Sequence, residues 1–180
     1  MRIMDDLRLI KVDTSHYYQY DSSLMNKVVH NGKTFFDKFF RVDSLLSADV
    51  IKRHLNKEII VAHSLIKDKK VENIVIDYNG SDDAGFYHKA QLLLRKEGFL
   101  NWTAYQSKTR GHLHIYVHKG HTDLLEAHFL SKTLSAKLEK LAPKQWRVLP
   151  SNDLPLNFNI LVLPYEVYAK ERGSYWSKHL

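Results

Sequence analysis

The sequence predicts an α/β or α+β fold, with a mixed sheet and flanking helices in one compact domain of residues 1–180. Segments typical of strands alternate with segments typical of helices, as in layered sheet proteins. The length of 180 residues is usual for one domain. A hydrophobic content of 44% with 12% aromatic residues is ordinary for a globular protein.

Residues 1–50 form an N-terminal extension in this prediction. Residues 1–22 are polar and lack a clear period, so we expect irregular structure with one strand around residues 7–12. Asn31-Gly32 separates two β-forming segments, and this dipeptide is typical of a two-residue hairpin loop.

Ser47 is the expected N-cap of a helix that ends near Lys57. A strand is predicted over 59–66, and a charged turn leads into a second strand over 71–78. The β-branched run at 74–76 indicates that this second strand is buried on both faces and lies inside the sheet.

The second half continues the alternation of strands and helices. Residues 79–83 predict a turn and N-cap, and the next helix ends before Gly98. The remaining predicted elements are strands over 101–106, 112–118, 146–149 and 158–163, and a helix from Thr122 to Pro143.

Composition limits the classes of site. The chain has no cysteine, which excludes disulfides and thiolate metal sites. Its formal net charge is +7, and residues 101–147 hold eight Lys and Arg against three acids. Such an excess favours polyanions such as DNA, RNA or nucleotides, although a solvated lysine-rich surface is an equal explanation. No apolar run is long enough to span a membrane, so we expect no membrane partner and a cytoplasmic location.

Asp77 is the first candidate for chemistry. On an extended strand Val75, Asp77 and Asn79 share one face, so Asp77 is expected at the C-terminal strand end beside Asn79. Ligands bind at such ends in open α/β sheets. The alternative is that Asp77 only caps the turn that follows.

The second candidate is a strand rich in histidine. Alternation places His112, His114 and His118 on one face with Tyr116, opposite an apolar face. Two such histidines can bind one cation or one phosphate, and Lys108 with Arg110 would add charge. A hydrated surface or simple packing of the imidazoles is the alternative.

These segments resemble the archaeo-eukaryotic primase, or primase-polymerase, superfamily over a core of about 55–163. The resemblance is carried by Ile76-Asp77-Tyr78-Asn79-Gly80, a helix, and the stretch Tyr105-Gln106-Ser107-Lys108-Thr109-Arg110-Gly111-His112-Leu113-His114-Ile115-Tyr116-Val117. The whole chain is also similar to a small bacterial family of unknown function.

The resemblance implies roles for individual residues. Asp77 and His114 would be the catalytic residues of an active member, and Mg²⁺ or Mn²⁺ would be its cofactor. The implied nucleotide and phosphate contacts are Ser107, Lys108, Arg110, Gly111 and His112. Asp77 and Asn79 would form a weak metal site.

The sequence departs from the family pattern at the acids. Asn79 stands where the family has its second aspartate, and the later strand offers only Asn159 for the third, unless Asp153 substitutes for it. Two-metal phosphoryl transfer needs several carboxylates. Two residues, His112 and Leu113, also separate Gly111 from His114 where the family usually has one, so either histidine can match.

Three hypotheses follow. The first is a protein that binds nucleotide or nucleic acid and has a degenerate catalytic metal site. The second is a phosphoesterase with one metal held by Asp77, His112, His114 and Asp83. The third is a non-enzymatic interaction module with a basic face.

Overall fold

The structure is a computed structural model that describes residues 2–172, with side chains described through Ala169. The mixed α+β class is confirmed. The helices are α1 (Arg2–Leu9), α2 (Ala48–Leu55), α3 (Asp83–Lys96) and α4 (Leu124–Glu139). The strands are β1 (Tyr17–Tyr20), β2 (Asn26–His30), β3 (Lys33–Asp37), β4 (Phe39–Val42), β5 (Val61–Ser64), β6 (Lys70–Tyr78), β7 (Asn101–Gln106), β8 (Leu113–Asp123), β9 (Trp146–Leu149), β10 (Ile160–Val162) and β11 (Glu166–Arg172).

The chain divides into two compact units. Unit 1 contains residues 1–68 and 151–163, and unit 2 contains residues 69–150 and 164–180. This division differs from the expected extension of 1–50 and core of 55–163, because residues 151–163 return to the N-terminal part of the chain. The single domain of 1–180 stays a prediction.

Unit 1 is built on an antiparallel sheet of order β10-β5-β1-β4. The β2–β3 hairpin forms a separate two-stranded sheet, and the predicted loop at Asn31-Gly32 is confirmed. Both loop residues have positive φ, +50° and +74°, which Asn and Gly tolerate well. The predicted cap of α2 is also confirmed, since the Ser47 hydroxyl accepts from the backbone N–H of Val50.

The strand expected around residues 7–12 is wrong, because the structure has α1 there. Ile3, Leu7 and Ile10 of this segment are buried at spacings of three and four residues. This is a helical period, which the charged residues between them obscure. The sequence also gave no indication of β1 or β11.

Unit 2 is built on an antiparallel sheet of order β11-β7-β8-β6-β9. β6 lies between β8 and β9, and the prediction of an interior, buried strand is confirmed by Ile74, Val75 and Ile76, which have no exposed surface. The described strand pairs of this sheet are all antiparallel, so the rule for ligands at the ends of parallel strands does not apply to Asp77.

Helices α3 and α4 pack on one face of this sheet. The ring of Tyr78 stacks on Phe86 of α3 with centroids 4.1 Å apart, and the indole N–H of Trp102 donates to the Tyr87 hydroxyl. α4 packs against β6, β8 and β9. Because side chains alternate along a strand, Asp77 lies on the opposite face from Tyr78.

β8 is longer than predicted, and this moves the start of the following helix. The strand continues through Thr122, which was the expected cap, to Asp123, so α4 begins at Leu124. No helix in residues 2–172 is long and apolar enough to cross a membrane.

Candidate functional site

A row of polar side chains crosses the face of the unit 2 sheet opposite the helices. Asp77 on β6 is directly opposite His114 on β8 and directly opposite Arg147 on β9. His114 is in turn opposite Tyr105 on β7. Residues opposite each other on neighbouring strands point to the same face, so the four side chains form one row. β6 and β8, which carry Asp77 and His114, are therefore neighbours in the sheet.

The Asp77 carboxylate is buried between two cationic or potentially cationic groups. Its Oδ2 accepts a hydrogen bond of 2.8 Å from Nε of Arg147, and its Oδ1 lies 3.4 Å from Nε2 of His114. Asp77 and His114 are 4% and 3% exposed. The contact between His114 and Oδ1 is an ion-pair distance without a hydrogen bond, since the buried Oδ1 has no hydrogen-bond partner among the described residues. Within residues 2–172, the buried Nδ1 of His114 has no hydrogen-bond partner.

The electrostatics of the row keep Asp77 ionised. Burial raises the pKa of Asp77, but His114 and Arg147 lower it by more, and the net pKa lies well below its ordinary value. Burial also raises the pKa of the neighbouring Tyr116 well above its ordinary value, with smaller contributions from Tyr105 and the Asp77 charge. The row therefore contains a fixed carboxylate, and the phenol of Tyr116 beside it is neutral at physiological pH.

The surroundings of Asp77 suit an arginine better than a metal ion. Asn79 lies beyond the end of β6 and is exposed, and its backbone N–H donates to the carbonyl of Gln145. In the part of the chain that the structure describes, no three His, Cys, Asp or Glu side chains form a group that could hold a metal ion. The described residues therefore contain no metal cluster of Asp77 with His112, His114 and Asp83, and the weak Asp77–Asn79 site stays a prediction.

The loop between β7 and β8 carries the predicted phosphate contacts. The backbone N–H of Ser107 donates to the carbonyl of His112, and the N–H of His112 donates to the carbonyl of Thr109, which closes a tight loop. Gly111 has φ +90°, a conformation that favours glycine. Lys108 and Arg110 are exposed, and Ser107 and His112 are half-buried.

Strand pairing brings this loop to one end of the sheet together with two other connections. Tyr78 is opposite both Leu113 and Trp146, so the segments after β6, before β8 and before β9 meet at the same end. The name basic end is used here for the four residues that this pairing collects: Lys108, Arg110, His112 and Lys144. Nζ of Lys144 lies 4.1 Å from the ring centroid of Trp146.

Two acids, Asp82 and Asp83, lie at the start of α3, after the β6 turn. Asp82 caps this helix, since its Oδ1 accepts from the backbone N–H of Gly85 at 3.0 Å. Its own N–H donates to the Tyr78 hydroxyl at 2.9 Å. The Asp82 carboxylate is therefore engaged by the helix terminus rather than available as a ligand for a cation.

Only two of the three histidines of the predicted face lie within β8. His114, Tyr116 and His118 alternate along β8 and share one face, whereas His112 precedes the strand. His118 bridges two strands, because Nδ1 lies 2.9 Å from the Asn73 side-chain oxygen and Nε2 lies 2.9 Å from the Thr103 hydroxyl. We assign His118 a structural role in joining β6, β7 and β8.

Asn159 lies in unit 1 and organises a loop there. Its Oδ1 accepts from the N–H of Ser151 at 2.7 Å, and its Nδ2 donates to the carbonyls of Ser151 and Pro155. The side chain is 1% exposed. Both the oxygen and the nitrogen of the amide are hydrogen-bonded, so this side chain stabilises the loop that contains Ser151 and Pro155. Asp153 is exposed in the same loop.

Arg147 is the residue that sequence reasoning did not assign to a site. It is an exposed charge in a short strand whose other residues, Trp146, Val148 and Leu149, are buried. An isolated arginine in such a strand is a usable indication of a function or an ion pair. Its partner could not be identified without the β6–β9 pairing.

Comparison with known proteins concerns the N-terminal part of the chain. Residues 1–73 match a family model described as a domain of unknown function, DUF1882. No curated protein matches the chain. The matched region ends within β6, before Asp77 and the basic end.

Proposed function

We propose that the protein binds nucleic acid through backbone phosphates at the basic end of unit 2, without catalysing nucleotide transfer. The observation that carries the proposal is the clustering of Lys108, Arg110, His112 and Lys144 at one end of the sheet by strand pairing. Lys108, Arg110 and Lys144 are the cations of this cluster. Cationic side chains that release counterions from nucleic acid supply the sequence-independent part of binding.

Exposed flexible cations suit phosphates better than bases. Among the described residues, the large aromatic side chains that are well exposed are Tyr20, Phe36 and Phe129. Tyr20 and Phe36 belong to unit 1, and Phe129 lies in the first half of α4, away from the basic end. Proteins that read single-stranded bases use aromatic stacking platforms. The basic end offers charge instead, which favours contacts that do not depend on sequence.

The absence of catalysis in the proposal rests on the partners of Asp77. Two-metal phosphoryl transfer requires more than one free carboxylate. Asp77 is buried and ion-paired with Arg147, and Asn79 adds no charge. We therefore expect no primer extension by the native protein with Mg²⁺ or Mn²⁺, and robust extension that Asp77→Ala abolishes would contradict this part of the proposal.

The binding test is fluorescence anisotropy of labelled single-stranded and duplex oligonucleotides over a series of salt concentrations. Replacing Lys108 and Arg110 together by alanine should weaken binding to all sequences alike. It should also reduce the slope of log K against log salt by about 2, since each phosphate contact contributes about 0.9.

The matched control removes two charges from the other end of unit 2. Lys96 ends α3 and Lys119 lies toward the far end of β8, and both are exposed. Lys96→Ala with Lys119→Ala should leave the salt slope unchanged. Equal losses in the two double variants, or no binding to any oligonucleotide at low salt, would contradict the proposal. Competition by a mononucleotide as efficient as by an oligonucleotide would identify a nucleotide site instead.

A further inference from the structure

We propose that Arg147 binds one phosphate of the nucleic-acid backbone through the outward edge of its guanidinium, and that Asp77 is the positioning residue that orients this edge. The inference rests on the proposed function and deepens it, because it names a phosphate contact outside the basic end. It also gives the buried Asp77–His114 pair a role that requires no metal ion.

The position of Arg147 makes its side chain accessible. β9 is an edge strand of the unit 2 sheet, and Arg147 is 46% exposed in its side chain whereas Asp77 is 5% exposed in its own. The guanidinium therefore extends from a buried anion to the surface. A surface arginine without such an anchor would sample many rotamers.

The anchor uses only one side of the guanidinium. Nε of Arg147 donates to Oδ2 of Asp77, and the two terminal nitrogens have no acceptor among the side chains described, those of residues 2–169. A planar guanidinium can donate two parallel hydrogen bonds to a phosphate, which a lysine ammonium cannot. Holding one side in place leaves the other side preorganised for an anion.

His114 supports the anchor from the opposite side of the carboxylate. Its Nε2 lies 3.4 Å from Oδ1 of Asp77, close enough to interact electrostatically but without a hydrogen bond, while Arg147 donates to Oδ2. The low pKa of Asp77 keeps the carboxylate charged at every pH at which nucleic acid is bound. The orientation of Arg147 is thus independent of pH in the physiological range.

The spacing fits a continuous backbone. Arg147 on β9 and the loop before β8 are separated by β6, which corresponds to two strand spacings or about 10 Å. Phosphates along one strand of a duplex advance by about 3.4 Å per nucleotide along the axis, so about three nucleotides cover this distance. One oligonucleotide can therefore contact Arg147 and the Lys108–Arg110 loop together.

The experiment uses the full chain, labelled oligonucleotides and three variants with opposite expectations. Arg147→Ala should weaken binding about tenfold and lower the salt slope by about 1. Arg147→Lys retains the charge, so the salt slope should stay unchanged. Affinity should fall about fivefold, because an ammonium cannot donate the two parallel hydrogen bonds of a planar guanidinium. Arg95→Lys, an exposed arginine on α3, is the control and should bind as the native protein does.

Asp77→Asn separates positioning from simple charge. Removal of this carboxylate makes the protein more positive, so electrostatics alone would strengthen binding. Loss of orientation should instead weaken it about threefold, with the slope unchanged because Arg147 keeps its charge. Circular dichroism establishes that each variant folds, and Arg147→Lys keeps the test decisive if Asp77→Asn does not fold.

The outcomes distinguish the inference from the proposed function. If Asp77→Asn binds more tightly, or if Arg147→Lys binds as the native protein does, the inference is wrong. The proposed function then still stands provided that the Lys108 and Arg110 double variant loses affinity. If the native protein binds no oligonucleotide, both are wrong.

Discussion

The imidazole of His54 is a buried group whose charge state affects stability. Its Nδ1 accepts from the N–H of Val61 and its Nε2 donates to the carbonyl of Leu163, both at 3.1 Å. Burial lowers the pKa of His54 to about 4, and the hydrogen bond to Leu163 opposes this only in part. The unfolded chain therefore takes up the proton first as the pH falls, beginning near the unperturbed histidine pKa of about 6.5.

We predict that unit 1 loses about 2–3 kcal/mol of stability from His54 alone as the pH falls from about 6.5 to about 4, with no further loss from it below that range. Urea unfolding of the native protein and of His54→Gln, across this range, measures the effect. The variant should have the shallower pH dependence. His88→Gln, on the exposed surface of α3, is the control for loss of an imidazole. Identical slopes for all three proteins would assign the pH dependence to other groups.

Asn159 provides a second prediction, because a carboxylate cannot replace its amide. Nδ2 donates to the carbonyls of Ser151 and Pro155, and Asp at this position would bring an acceptor against two acceptors in a buried place. Asn159→Asp should destabilise the protein by about 3 kcal/mol and should not create manganese affinity. Thermal unfolding and isothermal titration test this.

The control for this prediction is Asn157→Asp, an exposed position in the same loop, which should change stability little. A stable Asn159→Asp protein with new manganese affinity would restore the view that Asn159 replaces a family acid.

At the residue scale, the sequence predicted the position of Asp77 better than its environment. Strand alternation predicted the side-chain faces of Asp77 and His114, and the structure pairs the two residues directly across β6 and β8. It could not predict the pairing of β6 with β9, which is set by a connection through α4. The arginine that holds Asp77 was therefore missed, and the carboxylate was interpreted as a metal ligand.

At the scale of elements, turn and cap residues were the most reliable indications. Ser47, Asn31-Gly32 and Gly98 act locally, through hydrogen bonds or positive φ, and each is where the sequence predicts it. α1 was missed because its buried residues are separated by charged ones. β1 and β11 are stabilised by partners far away in sequence, which a local pattern does not contain.

Gly98 gives a prediction at this scale. It follows α3 with φ +84°, and a Cβ at this position would meet no atom within 4 Å. Gly98→Ala should therefore cost about 1 kcal/mol through backbone conformation alone, and Gly98→Asn should cost less because Asn tolerates positive φ. Urea unfolding of the two variants tests the order. An unchanged free energy of unfolding for Gly98→Ala would show that α3 ends differently in solution.

At the scale of the whole molecule, the region that matches the known family is not one of the compact units. Residues 1–73 include β5 but not β10, and they end partway through β6. β10 pairs with β5 over Ile160–Val162, so the fragment would expose a bare strand edge. An open apolar edge promotes association between chains.

We predict that a fragment of residues 1–73 aggregates or stays largely unfolded, whereas the full chain folds. Size-exclusion chromatography and circular dichroism of both proteins test this. Addition of residues 151–163 through a flexible linker should improve the solubility and helix content of the fragment. A monomeric, cooperatively unfolding fragment would show that β10 contributes little to unit 1.

The return of residues 151–163 to unit 1 also sets an order of events during synthesis on the ribosome. β5 emerges early, but its partner β10 begins at Ile160 and is translated only after the whole contiguous segment 69–150. At about 5–20 residues per second, this delay is roughly 5–20 s. Chains usually fold from the N-terminus onward. Here the segment from β6 to β9 can assemble while the edge of β5 is still unpaired. The N-terminal part of the nascent chain is therefore the part most exposed to aggregation during synthesis.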